Sequence, residues 1–262
     1  MIAISDEIQV RKDAPSGTII LNRPHRRNAL TRELLAALQQ AFEDLYQETN
    51  VRSVIITGAG NAFCSGTDLA QLQESANEAN VLDQWREDAV RYQELLEYML
   101  RYPKPIIAAV NGWVVGSGVG LMLASDIAIA SDQARLMLPE ARRGLHAGPT
   151  APLLAFRIGA SQAAHLLLSS RSVDASTAQQ WGLFHEIVPD ELVWVHAQKM
   201  AQDCAAGAPQ SQLLTKQMLN ETVGESLFRQ LSIAAASMAT ARTTESAAEG
   251  ITAFLEKRDP EF

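Results

Sequence analysis

Apolar positions along the chain follow two periods, and the two alternate. At 18–21 the run Thr-Ile-Ile-Leu is β-branched and stops before Pro24, which predicts a short buried strand. Thr31 then stands where a helix cap belongs, with Glu33 in the positive first turn, and Leu34, Leu38, Phe42 and Leu45 recur at helical spacing. Residues 52–57 form a second buried run, ended by Gly58 and Gly60. A polar helix is expected after a loop at 59–69. Trp85, Ala89, Tyr92, Leu96 and Met99 mark its buried stripe, and Pro103 and Pro105 bracket its end. Further buried strands are expected at 106–110 and 127–130.

Strands that alternate with helices imply parallel pairing through crossover connections. After about residue 150 the pattern turns almost wholly helical, with Ala-rich runs and caps at Ser161 and Asp174. Proline suits a first helical position, so one helix is predicted to start near Pro149. The stretch 232–241 carries Ile233, Ala234, Ala235, Ala236, Met238 and Ala239, apolar enough either to pack in the core or to meet a second subunit. The uncharged run 106–124 approaches membrane-spanning length. However, Asn111-Gly112 reads as a turn, and Gly116-Ser117-Gly118 would break a helix at its centre. A buried strand, a glycine loop and a buried helix are expected there instead.

Composition changes this picture little: 262 residues, 47% apolar and 20% charged, suit a soluble α/β protein. Charge changes it more. With 22 basic and 30 acidic residues the net charge is −8, which disfavours general binding to nucleic acid or anionic membrane, so neither is expected as a partner. Arg23, Arg26 and Arg27 nevertheless form a local cluster able to hold an anionic ligand. Cys64 and Cys204 make no disulfide framework and no metal motif, which favours a reducing compartment. The N-terminus lacks the basic start and apolar run of a secretory signal, and a cytoplasmic location is expected. His165, His185 and His196 lack metal-ligand spacing, so no metal is expected. Cys64 reads as a structural thiol with no recognisable base. Asp68 is expected to order its own loop and Asp126 to close a strand end.

Two glycine-marked loops each follow a buried strand. The first is Phe63-Cys64-Ser65-Gly66-Thr67-Asp68-Leu69. The second is Asn111-Gly112-Trp113-Val114-Val115-Gly116-Ser117-Gly118-Val119-Gly120, running into Leu121-Met122-Leu123. Glycines let backbone approach a ligand closely. Two N–H groups from separate loops, one at a helix start, can grip an oxygen that gains negative charge. A dinucleotide site fits less well, because Gly116, Gly118 and Gly120 run as G-x-G-x-G rather than G-x-G-x-x-G.

These loops sit within a longer ordered series. Asn22-Arg23-Pro24 and Arg27-Asn28-Ala29-Leu30 precede them, Pro103-Lys104-Pro105 with Ile106 to Gly112 lies between, and Ala124-Ser125-Asp126-Ile127-Ala128 and Pro139-Glu140 follow. Ala178, Trp181-Gly182-Leu183 and a closing Phe254-Leu255-Glu256-Lys257-Arg258 complete it. In this order the chain resembles the crotonase (enoyl-CoA hydratase/isomerase) family from end to end. The resemblance implies an α/β spiral of repeated β-β-α turns over 1–195 and a helical C-terminal region for trimerisation or lid over 196–262. It also implies a homotrimer or a dimer of trimers, and an acyl-CoA substrate whose coenzyme A is part of the substrate, with no separate cofactor.

Carried over by position, the resemblance makes the backbone N–H groups of Thr67 and Ser117 the oxyanion hole and Glu140 the general acid/base. Arg27 and Ala29, with Thr67, Asp68 and Leu69, would lie along the CoA moiety, and Gly66 and, on the second loop, Gly118 and Gly120 are also expected to meet the substrate. Hydratases of the family carry two glutamates, and the first falls at Gly120 here. A single glutamate suits migration of a double bond from C3 to C2, so isomerisation is favoured over hydration. His146 could serve as an extra acid or base. A dehalogenase of the family also has glycine at the first position, but its nucleophilic aspartate falls at Gly148 here, which argues against that reaction. The alternatives are a non-catalytic acyl-CoA-binding scaffold, an RNA-binding role disfavoured by the acidic charge, and a peptidase of related fold, for which no Ser/His/Asp set stands out.

Overall fold

The computed structural model describes residues 2–77, 79–222 and 224–262. The chain opens with β1 (Ile2–Ser5), β2 (Ile8–Asp13) and β3 (Ser16–Leu21), then α1 (Arg32–Gln47). There follow β4 (Ser53–Gly58), β5 (Ala62–Cys64), α2 (Leu69–Glu74) and α3 (Val81–Arg101). Next come β6 (Ile106–Val110), β7 (Trp113–Val115), α4 (Ser117–Ala124), β8 (Ile127–Ser131), β9 (Arg135–Met137) and α5 (Thr150–Ser169). The remainder is β10 (Val173–Asp174), α6 (Ala175–Gln180), β11 (Glu186–Val188), α7 (Val193–Ala205), α8 (Pro209–Gln217), α9 (Glu225–Ala241) and α10 (Glu245–Glu256).

The strands form two sheets, one in the order β1-β2-β3-β4-β6-β8-β11 and one in the order β10-β9-β7-β5. Three successive turns share one plan: β4-β5, β6-β7 and β8-β9 each give the first strand to the large sheet and the second to the small one, and a helix returns the chain. That is the expected spiral. Asparagines stack the corners. Asn28 Nδ2 donates to the carbonyls of Ala59 and Ala62 at 2.9 and 2.8 Å, and Asn111 Nδ2 donates to those of Gly58 and Gly60 at 2.8 Å.

Period-two alternation explains why the central strands read as unbroken apolar runs. On β4, Val54 and Ile56 enter the main core while Ile55 points to the other face. On β6, Ala108 and Val110 face one way, Ile107 and Ala109 the other. The second face is covered by Val193, Ala197 and Ala201 of α7. The boundary expected at 195/196 therefore falls inside a helix that closes the sheet. The caps at Thr31 and Asp174 accept from Leu34 N at 3.0 Å and Thr177 N at 2.8 Å. α5 follows Pro149 as expected, but it is broken at Gly159 (φ 79°, ψ 161°), two residues before Ser161.

Two expectations are corrected. The antiparallel β1-β2 hairpin was not foreseen, because β2 (IQVRKD) buries only Ile8 and Val10 and offers a short apolar signal. The C-terminal third is not purely helical: β11 pairs in parallel with β8, and β10 caps the small sheet. Two- and three-residue strands are too short to show a period. The run 106–124 forms β6, β7 and α4, and no helix among the described residues is long and apolar enough to cross a membrane. In the stretch 232–241, Ala234, Ala235 and Met238 are buried, the last two packing with Ala89 of α3, whereas Ile233 is exposed.

Candidate active site

The two glycine loops meet at the C-terminal ends of β5 and β7. Gly66 (φ +84°) and Gly116 (φ +56°) both adopt left-handed backbone. A Cβ at Gly66 would lie 2.8 Å from Val115 O and 3.0 Å from Ser117 N, so only glycine permits the approach. Leu30 bridges to this loop through Leu30 N to Gly66 O (2.8 Å) and Asp68 N to Leu30 O (2.9 Å). That pattern turns Thr67 N away from the bridge. Ser117 begins α4, so its N–H has no partner within the helix. Neither amide is engaged by another described residue. A 3.0 Å contact between Thr67 Oγ1 and Ser117 Oγ braces the loops against each other. The result is a pair of free N–H donors, one of them at a helix N-terminus.

Glu140 begins a 3-10 turn, Glu140–Arg143, after Pro139, and reaches across to the second loop. Its Oε1 lies 2.8 Å from where a Cβ on Gly116 would stand, so Gly116 must also lack a side chain for the carboxyl to fit. Oε2 is sealed from the surface and has no hydrogen-bond partner among the described residues. Burial pushes the Glu140 carboxyl up to about 7, against the opposing pull of its backbone hydrogen bond and of Arg143. A carboxyl near neutrality, unpartnered and beside two free amides, is equipped to move protons. The Arg143 guanidinium stacks on Phe254, 4.0 Å from the ring centre.

Gly120 shows the opposite arrangement. A Cβ there would stand 1.9 Å from the Tyr92 hydroxyl and 2.8 Å from Thr150 Oγ1. Tyr92 donates its single proton to Ser117 O at 2.6 Å, so Thr150, 3.0 Å away, serves it as donor. Burial drives the Tyr92 phenol well above its ordinary range. The space a first glutamate would need is thus filled by a committed tyrosine that anchors the turn at Ser117. Sequence periodicity marked Tyr92 only as a core residue.

A cleft of about 490 Å³ brings together Gly66, Thr67, Leu69, Ser117, Glu140 and His146. Arg143, Met238 and Arg242 also line it. A larger groove of about 1060 Å³ shares Thr67, Leu69 and Arg143 with it and is bounded by Arg26, Arg27, Ala29, Asp68 and Phe254. The basic cluster is therefore divided. Arg26 and Arg27 face the groove, whereas Arg23 is held between Glu7 (2.8 Å) and Asp68 (2.9 Å). Asp68 also caps α2 through Ala70 N and Gln71 N, so its oxygens already serve the loop. Gly118 packs against Cys64, with Cys64 O 2.5 Å from a notional Cβ, and lies behind the cleft wall. Cys64 is fully buried and its thiol is pushed up to about 12 by burial, as suits a structural thiol. Asp126 accepts from Ile106 N and Lys216 Nζ at 2.8 and 2.7 Å, closing the strand end.

His146 lines the cleft with Nδ1 accepting from Gly148 N at 3.0 Å. Its neutral ring therefore carries the proton on Nε2, and burial keeps the ring below its ordinary pKa. Gly148 (φ +55°) abuts Met238, whose Sδ lies 2.6 Å from a notional Cβ, leaving no room for a nucleophilic side chain. Among the described residues no group of three His, Cys, Asp or Glu side chains gathers as a metal site. Arg143 and Arg242 are cleft residues the sequence reading did not single out, and Met238 was marked only as part of an apolar run. A lone arginine directly after the apolar 232–241 run was the available signal for Arg242.

Spiral turns followed by a helical C-terminal region define a fold shared with solved hydratase/isomerase structures. One, an enoyl-CoA hydratase/isomerase from Mycobacterium paratuberculosis, superposes with a TM-score of 0.87 at 27% identity, covering 96% of this chain and 99% of its own. Residues 14–262 match the enoyl-CoA hydratase/isomerase family, and the chain belongs to it. It is 38% identical to a putative enoyl-CoA hydratase of Thermus thermophilus, over 97% of this chain and 100% of that protein. It is 34% identical to the 2,3-dehydroadipyl-CoA hydratase of Escherichia coli, over 93% of each.

Proposed function

We propose that this protein is an acyl-CoA enzyme that stabilises a thioester enolate and moves a carbon–carbon double bond from C3 to C2. The observation that carries the reading is the buried carboxyl of Glu140, whose Oε2 has no partner among the described residues, in one cleft with two free amides, while the first acid position is filled by Tyr92. Ionised Glu140 takes a proton from C2. The electrons pass into the thioester carbonyl, whose oxygen is gripped by Thr67 N–H and Ser117 N–H as charge develops. Glu140 returns the proton at C4, and the double bond forms between C2 and C3. Arg26 and Arg27 bind the phosphates of the CoA moiety in the larger groove.

A second reading, hydration of a 2-enoyl-CoA, draws on His146. Its neutral ring offers an Nε2–H donor in the same cleft, able to hold a water for Glu140 to activate. Incubation with a trans-3-enoyl-CoA separates the two. Gain of conjugated absorbance at unchanged mass is expected. Gain of one water points to hydration, and unchanged turnover in Glu140→Gln would sink both. Binding of thioesters without turnover or C2-proton exchange in heavy water would instead make the protein a scaffold. The expected trimer is supported by exposed Leu214, Met218 and Leu219 near the C-terminal end; light scattering checks it.

A further inference from the structure

The cleft that holds Glu140 adjoins a neighbouring pocket, with which it shares Thr67, Met238 and Arg242. Thr67 also borders the large groove, so it stands where three spaces meet. Arg26 and Arg27 border the groove. Arg242, at the C-terminal end of α9, borders the cleft and the neighbouring pocket but not the groove.

Arg242 is an unusual cleft residue. Its side chain is only 4% exposed, yet its pairing is poor. Nη1 lies 3.7 Å from Asp88 Oδ2, beyond hydrogen-bond reach, and donates a long 3.4 Å bond to Trp85 O. Asp88 is already taken. Arg32 donates Nε to Oδ1 at 2.8 Å and Nη2 to Oδ2 at 3.0 Å, and Gln84 adds a bond to Oδ1 at 3.0 Å. A guanidinium has five donors in a planar fork. Nε and Nη2 of Arg242 have no hydrogen-bond partner among the described residues and are not among its sealed, orphaned polar atoms. Arg242 lines both the cleft and the neighbouring pocket, and these donors are the ones left for a ligand there. Burial drags the group down to about 10, against the opposing pull of Asp88, in keeping with a cation short of partners. An uncharged methyl-ended chain would leave that cost in place; a carboxylate would remove it with a bidentate pair.

We propose that Arg242 receives a carboxylate at the far end of the acyl chain, so that the preferred substrates are CoA monothioesters of dicarboxylic acids. The inference rests on the thioester reading above. It concerns binding at the tail, remote from the proton transfer.

Saturated thioesters isolate that binding, since they cannot turn over as enoyl substrates. Dissociation constants are measured for matched straight-chain pairs of four to eight carbons, one member ending in a methyl group and the other in a carboxylate. At the best length the carboxylate form is expected to bind roughly tenfold tighter or more, the scale of one charged bidentate contact. Arg242→Met should erase the difference while leaving methyl-ended affinity within about twofold, and Arg242→Lys should restore part of it. Equal affinity of the wild-type protein for both series overturns the proposal, as does an equal loss for both in Arg242→Met. If Arg242→Met does not fold, the wild-type comparison decides alone. A preserved preference with no turnover of any enoyl-CoA would overturn the catalytic reading and leave this one standing.

Discussion

Positions 120 and 140 are the two places where the family resemblance puts acids, and the fold treats them in opposite ways. At 140 the backbone clears space: Gly116 gives up its side chain so that a carboxyl can stand beside it, and one carboxyl oxygen is left without a partner. At 120 space is consumed, because the Tyr92 hydroxyl lies 1.9 Å from where a Cβ would begin and its proton is committed to Ser117 O. An orphaned buried oxygen is costly, and it persists where something other than folding uses it. A filled and satisfied pocket contributes stability and positioning. The absence of a glutamate at 120 is thus part of a repacked wall and more than a single substitution.

That contrast is sharpest in Glu140→Gln. The variant keeps the shape and removes the base, so turnover of a 3-enoyl-CoA should fall by roughly a hundred- to ten-thousand-fold with its thermal transition preserved. Retained turnover would place the proton transfer elsewhere. Gly120→Glu tests the other side. Placing the acid back should yield no hydratase and should cost about 1–3 kcal/mol from overpacking, read by denaturant unfolding. A folded Gly120→Glu protein with new hydration activity would show that Tyr92 yields, and the two positions would no longer differ in kind. Tyr92→Phe removes the tether on Ser117 O and leaves that buried carbonyl short of a donor. About 1 kcal/mol of stability should be lost, and kcat should drop more than KM rises.

The smallest effect comes from pH. The folded-state value of Glu140, about 7, stands above its ordinary 4.5, so between these values the folded protein holds a proton the unfolded chain has released. Stability from this group is therefore fully present below about 4.5 and is lost as pH rises through 7. Glu140→Gln should accordingly gain melting temperature over wild type at pH 8 and show little difference at pH 5. The same ionisation should give kcat/KM a rising limb centred near 7, provided Glu140 acts as base. A flat profile would break the link between burial and chemistry.

Much of the frame was legible in order along the chain. β4, β6 and β8 read as unbroken apolar runs because both their faces are buried, and α1 and α3 were marked by stripes whose residues all turn inward. Glycines at 66 and 116 advertised close backbone approach, and both proved left-handed. β10 and β11 escaped because strands of two or three residues draw their identity from a neighbour's edge. The division among Arg23, Arg26 and Arg27 escaped for a related reason: three like charges in five residues look alike until Glu7 and Asp68 select one.

Local pattern by itself determined the longer strands and helices and the two glycine loops, while the family rested on the resemblance of a whole ordered series of motifs. It could do so because period, caps and glycine conformation are properties of neighbouring residues. Tertiary structure decided what surrounds each acid position. Tyr92, Thr150 and Gly120 are distant in sequence yet compete for a few ångströms of one wall, and Arg242 becomes a cleft residue only because Arg32 has already claimed Asp88. Packing and desolvation are sums over all neighbours, and those neighbours are set by the folded chain.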